Sequence, residues 1–563
     1  MGGHSYTPLP THSDSEPSPR SSDDSGSPAV HGETGRWSPA PLIDLWEGDD
    51  KSPRASERSS TYTPHRASQP RPQPTTITQR LIVCLLLITV WPILYLIHSS
   101  FLSPFFTLSS PSTLTTVPPL SPSFLAQCDS LLQSPPETFT NRLHSLVKAL
   151  PPSTGWIAEP GPSAEYFLGG FGSSDWWLSE RPFLIHVANS SSSSTPFPVN
   201  DVAQSAKDND RLKKDLPTIT LLTPAFEALR ASLISLPDEI ARRVKWVEWK
   251  EDQSPYSVLE HAVSTQGVVL DGMVRHFVGE GLRGVFREEK GEEVVQAVKT
   301  IRERKDEREV GLLRCANQLT LHATRKTRTR MYIGITESQT SAILHEEMAA
   351  TGLTGGEGLV LFGENAALPH GSGTDRVLGK HDLALIDTGG KWGGYVADVT
   401  RTFALPDSEI PKIHIDIWET VRRAQHAPYD LLLSSNSTVS PIHAELDKTA
   451  RRIVTASKAP SDFEAEAGPD FSVFTHRLGH GIGLEGHESP YLVQGPLGSK
   501  PVLSGHVFSL EPGVYLPSDG KEDWFGIKGV GVRLEDCFLV TEDNQGRLGG
   551  EWLSGPVEKW GDI

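Results

Sequence analysis

Residues 476–488 read His476-Arg-Leu-Gly-His480-Gly-Ile-Gly-Leu-Glu-Gly-His487-Glu488. Three histidines and four glycines fall within thirteen residues. A histidine in a glycine-rich segment is ordinarily structural. Glycine also lets backbone approach a site closely, and neutral imidazole beside carboxylates is a usual ligand set for Mn, Co, Zn or Fe. The acids in the surrounding sequence decide between these readings.

Four carboxylates lie in or at the end of apolar, strand-like runs. Asp387 ends Leu383-Ala-Leu-Ile-Asp387, and Asp398 sits inside Tyr395-Val-Ala-Asp398-Val-Thr-Arg-Thr-Phe403. Glu511 follows Val507-Phe-Ser-Leu510, and Glu535 sits in Gly531-Val-Arg-Leu-Glu535-Asp536. Burying one unpaired carboxylate costs on the order of several kcal/mol. One such acid alone reads as salt-bridged or as a loop-edge residue. Four demand counter-charge, and the nearby lysines and arginines are few and scattered. A pair of divalent cations supplies that charge.

Further elements place these strands in an α/β chain. Thr336-Glu-Ser-Gln339 is a capping box, and it predicts a helix through Ile343, Leu344 and Met348 that stops near Gly352. A charged helix is expected over Glu288–Arg308. Upstream, the leucine spacing predicts a helix over Phe139–Leu150. Arg181–Val187, Thr218–Leu222, Lys245–Glu251 and Gly267–Leu270 read as strands. The polar run between Ala188 and Asp215 reads as a loop. Later strands are expected at Leu383–Asp387, Tyr395–Phe403, His506–Leu510 and Val530–Val540. Gly279-Glu-Gly281-Leu-Arg-Gly284 fits a dinucleotide-binding glycine pattern. It follows a helical stretch, Met273–Val278, where that motif needs a strand, so it is not read as one.

The whole chain has 563 residues, enough for two to four units at roughly 100–200 residues each. Its net charge, 52 − 70 = −18, excludes nucleic-acid binding through bulk electrostatics. Four cysteines exclude a disulfide scaffold and a cysteine-rich zinc site.

Residues 1–79 are dense in Ser, Pro, Asp and Arg, and read as a disordered tail with Ser-Pro pairs at Ser18, Ser27, Ser38 and Ser52. Leu81–Ile97 is uncharged, at the lower length limit for a spanning helix, and residues 80–106 are taken as a transmembrane anchor. A Ser/Thr/Pro-rich stalk follows over 107–123. Arg66, Arg71 and Arg80 precede the span and no Lys or Arg follows it before Arg142, which places the tail in the cytosol and the rest across the membrane. That side is lumenal or extracellular, in the secretory pathway or vacuole. The sequons at Asn189 and Asn436 agree with it. Cys128, Cys315 and Cys537 leave an odd number there, so at least one is free or pairs between chains; Cys537, in an apolar strand, reads as core.

The C-terminal half, about Arg304 to Glu551, resembles the pita-bread metallopeptidases: aminopeptidase P, prolidase and methionine aminopeptidase. Asp387, Asp398, His480, Glu511 and Glu535 match the family's five metal positions in order and approximate spacing, and Glu511-Pro-Gly-Val-Tyr515 matches its Glu-Pro-Gly-x-Tyr run. The resemblance implies a pseudo-twofold α/β domain over 301–555 that cradles two divalent metals, with Mn favoured and Co or Zn suited to the same ligands. Asp398 and Glu535 resemble the bridging pair, and Glu511 the acid that shuttles a proton. Asn365-Ala-Ala-Leu-Pro-His370, with His487, resembles the substrate-contacting histidines of the proline-specific branch; His476 and Arg533 match further active-site positions.

Residues 124–300 resemble the smaller creatinase-type N-terminal domain through Glu165-Tyr166, Gly169-Gly-Phe-Gly172 and Ser179-Glu-Arg-Pro182. The implied activity is hydrolysis of Xaa-Pro bonds in peptides, as an aminopeptidase P or a prolidase, with a homodimer as a family expectation. Some relatives have lost their ligands and act as binding proteins, and a creatinase-like branch hydrolyses C–N bonds without metal. All five ligand positions are filled here.

Overall fold

The computed structural model describes residues 117–172, 176–189, 217–289, 292–371, 373–458, 473–519 and 526–563. The tail, the proposed span, most of the stalk and most of the 188–215 loop lie outside them. Among the described residues, no helix is long and apolar enough to cross a membrane.

A six-stranded sheet forms first, from β1 (Thr154–Ala158), β2 (Leu184–Ala188), β3 (Thr218–Pro224), β4 (Val244–Trp249), β5 (Gly267–Leu270) and β6 (Arg287–Glu288), in the order β4-β3-β2-β1-β5-β6. The strands are short and rich in Ile, Val, Leu and Trp, and β1 and β2 are buried throughout, because helices cover the sheet. One layer contains Thr138–Ala149, whose Leu143 and Leu146 are fully buried against Trp156, Phe167 and Val187. Gly279 and Gly281 lie within the helix His276–Arg283 and Gly284 caps it, so the glycine pattern has no strand before its turn.

The helix expected over Glu288–Arg308 is broken. Glu288 ends β6, one helix spans Glu292–Glu303, and a new one runs Glu307–Arg330. The break is set by Asp306, which caps the second helix in a reciprocal box with Glu309, while the Lys305 amide donates to the Gly505 carbonyl instead of continuing a helix. The predicted box at Thr336 and Gln339 forms and starts the helix Glu337–Ala350, and Gly352 follows it at φ +81°.

The remaining strands are β7 (Thr354–Phe362), β8 (Ala384–Trp392), β9 (Tyr395–Val396), β10 (Val399–Phe403), β11 (Gly479–Gly481), β12 (Glu488–Leu492), β13 (Val507–Leu510), β14 (Gly513–Leu516), β15 (Val530–Arg533), β16 (Asp536–Glu542) and β17 (Leu548–Trp552). They fall into two halves of like plan. The helices Glu307–Arg330 and Glu337–Ala350 precede the β10-β8-β7 sheet, and Lys412–Leu433 and His443–Lys458 precede the β12-β11-β13-β16-β17 sheet. A mutual backbone bridge between Thr400 and Glu535 joins the halves. Two predicted strands are interrupted where they meet this seam: Tyr395–Phe403 at Ala397–Asp398, and Val530–Val540 at Leu534–Glu535. Each interruption carries one acid of the site, Asp398 in the first and Glu535 in the second.

Several helices were not expected, among them Pro162–Leu168, Lys412–Leu433, His443–Lys458 and one in the segment read as stalk. Pro122–Leu131 begins inside the segment read as stalk, with the Ser121 hydroxyl accepting from the Phe124 amide and proline in the first turn, where its missing N–H costs nothing. A Cys128–Cys315 disulfide ties it to Glu307–Arg330. Cys537 is free and buried.

Candidate metal centre and active site

The seam between the halves gathers the five residues singled out by the sequence. Asp387 comes from β8, Asp398 from the link between β9 and β10, His480 from the middle of β11, Glu511 from just after β13 and Glu535 from the bridge residue between β15 and β16. His480 Nε2 lies 3.3 Å from Glu511 Oε1 and 3.6 Å from Asp398 Oδ2. Three overlapping sets place their ligand atoms within 4.8 Å of one another: Asp387, Asp398 and Glu535; His480, Glu511 and Glu535; and Asp398, His480 and His487. Asp398, His480 and Glu535 each belong to two sets, and of these Asp398 and Glu535 are carboxylates, whose two oxygens could serve two cations.

The immediate surroundings orient these donors. His480 Nδ1 sits 3.2 Å from the Gly481 carbonyl, so it holds the ring proton and leaves the Nε2 lone pair facing the carboxylates. The Thr400 hydroxyl donates to Glu535 Oε2 at 2.7 Å, and the Ser509 hydroxyl to Glu511 Oε1 at 3.4 Å. Arg533 donates to Asp387 Oδ2 at 2.6 Å and to the Tyr515 hydroxyl at 2.9 Å. The Tyr515 hydroxyl in turn lies 2.7 Å from His476 Nε2, whose Nδ1 faces the Arg477 carbonyl at 2.7 Å.

The charge balance is unfavourable without a cation. Arg533 is the nearby counter-charge for Asp387, a contact the sequence reading underrated. Arg401 is committed elsewhere, to Asp536 at 2.7 Å. Burial and mutual repulsion push Asp398 and Glu511 well above the usual carboxylate range, and Glu535 up to about 8. Burial, with the neighbouring His487, lowers His480 to about 3 and keeps the imidazole neutral, its ligand form. Glu535 Oε1 is buried with no hydrogen-bond partner. An orphaned buried carboxylate oxygen amid three other acids and a neutral histidine fits a divalent-metal pair, and oxygen and imidazole donors together suit Mn, Co or Zn.

Two exposed histidines stand beside this centre. The His487 ring lies 4.1 Å from that of His480, edge to face. His370 follows the turn Gly363–Ala367 and is close enough to His487 to disfavour its protonation, after burial. Its segment is fixed by buried Glu337, which accepts from the Asn365 side-chain amide at 3.0 Å and from the Phe362 amide at 2.7 Å. Arg533 reaches the Pro369 carbonyl at 3.4 Å. His476 is set back from the carboxylates, 3.9 Å from Glu511, and burial and Arg533 lower it to about 3. The sequence reading missed Thr400 and the role of Tyr515. Only the Glu-Pro-Gly-x-Tyr run signalled the latter.

Residues 311–542 match the model of metallopeptidase family M24. An uncharacterised peptidase of Schizosaccharomyces pombe is 32% identical over 454 residues, covering 78% of this chain and 90% of that protein. The chain belongs to metallopeptidase family M24. Within M24, it is 26% identical over 306 residues to a Xaa-Pro dipeptidase of Pyrococcus furiosus, covering 54% of this chain and 78% of that one. The pita-bread fold is also that of the dipeptidase PepE from Mycobacterium ulcerans, at TM-score 0.58 and 20% identity over 76% of this chain and 98% of that chain. Escherichia coli aminopeptidase P matches at TM-score 0.56 and 17% identity, over 76% and 97%. The M24 match begins within the helix Glu307–Arg330 and takes in all five donor positions.

Proposed function

We propose that the protein is a dinuclear metallo-exopeptidase that hydrolyses Xaa-Pro bonds, as a prolidase or an aminopeptidase P. The observation that supports this most directly is the convergence of Asp387, Asp398, His480, Glu511 and Glu535, three of them shared between donor sets, beside the exposed His370 and His487. When bound, two divalent cations would supply Lewis-acid activation of water and of the scissile carbonyl.

The chain's own groups do the rest. Glu511, held by Ser509, takes the proton of the attacking water and delivers it to the leaving imino nitrogen. His370 and His487 donate to the developing oxyanion. Arg533 and Thr400 fix Asp387 and Glu535, so the centre does not rearrange as charge develops.

The proposal extends to location: residues 80–106 anchor the protein and residues 117–563 lie in a lumenal or extracellular compartment. The arginine asymmetry around 81–97 supports it, and so does the Cys128–Cys315 disulfide, since such bonds persist in oxidising compartments.

The test uses full-length protein stripped of metal and reloaded with Mn, Co or Zn. Ala-Pro, a Xaa-Pro-Xaa tripeptide and a dipeptide lacking proline are assayed together. Cleavage of Ala-Pro alone identifies a prolidase, and cleavage of the tripeptide an aminopeptidase P. Metal loading with no proline-directed cleavage refutes the proposal.

A further inference from the structure

His487 is the exposed residue of an otherwise buried to half-buried loop, and a side chain that must meet substrate there needs a brace. Acids flank His487, Glu485 two residues before and Glu488 directly after. Glu485 and Glu488 bring their Oε2 atoms to the same nitrogen of Arg302, each at 2.8 Å. Arg302 is in the last turn of the helix Glu292–Glu303, outside the M24 match, and is only 14% exposed in its side chain. The other Glu488 oxygen accepts from Lys305 Nζ at 2.7 Å, and this ion pair is buried. Glu303 accepts from the Ser489 hydroxyl. Three residues of the 302–305 segment therefore grip three residues of 485–489.

The grip is tight enough to constrain the backbone. A Cβ at Gly483 would meet Glu488 Oε1 at 2.6 Å, so the loop can close over the clamped carboxylate only because that position is glycine. Arg302 also donates to the Ser163 hydroxyl at 3.2 Å, and the Tyr166 hydroxyl donates to the Ile301 carbonyl at 3.2 Å, so the helix Pro162–Leu168 braces the clamp from behind.

We infer that Arg302 is a positioning residue for the reaction: by pairing Glu485 and Glu488 it fixes the loop that presents His487 to the substrate. The inference rests on the peptidase reading above. Arg302 touches neither the metal donors nor the cleft. Its loss leaves the centre intact and acts through His487 alone.

The test compares Arg302→Met, Arg302→Lys and Glu485→Gln in the full-length, Mn-loaded protein, with and without His487→Ala. Metal content stays at the wild-type level in all. Arg302→Met lowers kcat about 10- to 100-fold with KM within about threefold. Arg302→Lys recovers part of the loss, because an ammonium keeps the charge both glutamates meet but not the second nitrogen's bond to Ser163, and Glu485→Gln shows a smaller loss of the same kind. In the His487→Ala background Arg302→Met costs less than about threefold more. Hydrogen exchange reads the clamp without activity: amides 483–489 exchange at least about tenfold faster in Arg302→Met, while β13 and β16 are unchanged. Equal losses in both backgrounds, or unaltered exchange at 483–489, overturn the inference and leave the peptidase reading standing. A wild-type protein that loads metal yet cleaves no proline peptide sinks the peptidase reading, and the positioning role of Arg302 with it.

Discussion

Arg533 spans from Asp387, at 2.6 Å, to the Tyr515 hydroxyl, at 2.9 Å, so one guanidinium ties a candidate metal ligand to the residue that orients His476. A lysine cannot make both contacts along with the one to Thr400 at 3.2 Å. Arg533→Lys is expected to weaken metal binding about 10- to 100-fold, the usual cost of losing a partner that orients a ligand. Titration of metal-free protein with Mn, followed calorimetrically, measures it. Unchanged affinity would show that Asp387 is held by the fold alone.

Asp398 and His487 separate binding from chemistry. Asp398 is half-buried among the carboxylates and belongs to two donor sets, whereas His487 is exposed at the edge. Asp398→Ala should abolish both stoichiometric metal and activity. His487→Ala should keep its metal and lose most of kcat. Elemental analysis beside steady-state kinetics distinguishes the two, and a fully active His487→Ala protein would remove that residue from the mechanism.

Gly389 lies between the two aspartates on the strand that carries Asp387. A Cβ there would stand 1.8 Å from the Ala397 carbonyl oxygen, which is backbone and sits next to Asp398. No side-chain adjustment relieves that clash, so Gly389→Ala must displace the β8–β9 hairpin. The variant should lose at least about 2 kcal/mol of stability and bind metal poorly although every ligand is present. Denaturant unfolding and metal titration check both effects.

Glu309 gives a pH dependence remote from the metal centre. Burial raises its carboxyl to about 7, against the opposing Arg142, and its Oε1 accepts from the Tyr395 hydroxyl at 2.9 Å. A folded-state value above the unfolded one means that the native protein holds its proton longer. The contribution is fully present below about 4.5 and is lost as pH rises through about 7. It amounts to at most about 3 kcal/mol. Glu309→Gln keeps an acceptor for Tyr395 and does not titrate, so its melting temperature should vary less than wild type between those limits. An identical pH profile would refute the assignment.

The site was legible because its chemistry breaks the rules of its strands. Acids inside runs such as Leu383–Asp387 have no packing reason to be there, and the donor types and order pointed to two metals before any geometry was known. The seam was not legible, since the Thr400–Glu535 bridge joins residues 135 apart in the chain and interrupts two strands that read as continuous. Hydropathy cannot locate such a break. The 288–308 helix failed for a related reason: Asp306 reads as one more charge in a charged run until its capping partner Glu309 is seen. The helix at Pro122 was hidden by composition, its Ser-Pro start matching the stalk before it.

The disulfide offers a test of both architecture and compartment. Cys128 and Cys315 lie 187 residues apart with their Cα atoms 5.8 Å from each other, joining the first described helix to the helix that opens the M24 match. The two helices pack closely there: a Cβ at Gly311 would meet Leu131 Cδ1 at 2.8 Å, and the Trp392 indole donates to the Cys128 carbonyl at 3.0 Å. Trp392 ends β8, so the bond pins the N-terminal helix to the hairpin between Asp387 and Asp398. Closing so long a loop is worth about 5 kcal/mol by chain entropy. Replacing both cysteines by serine should lower stability by up to that amount and loosen the hairpin, with faster exchange of the Trp392 and Tyr395 amides. Mass spectrometry of protein alkylated without reduction should find 128 and 315 joined and Cys537 unmodified until unfolding, as its burial requires. Protein isolated from its native source with both thiols free would contradict the proposed oxidising compartment, whatever its activity.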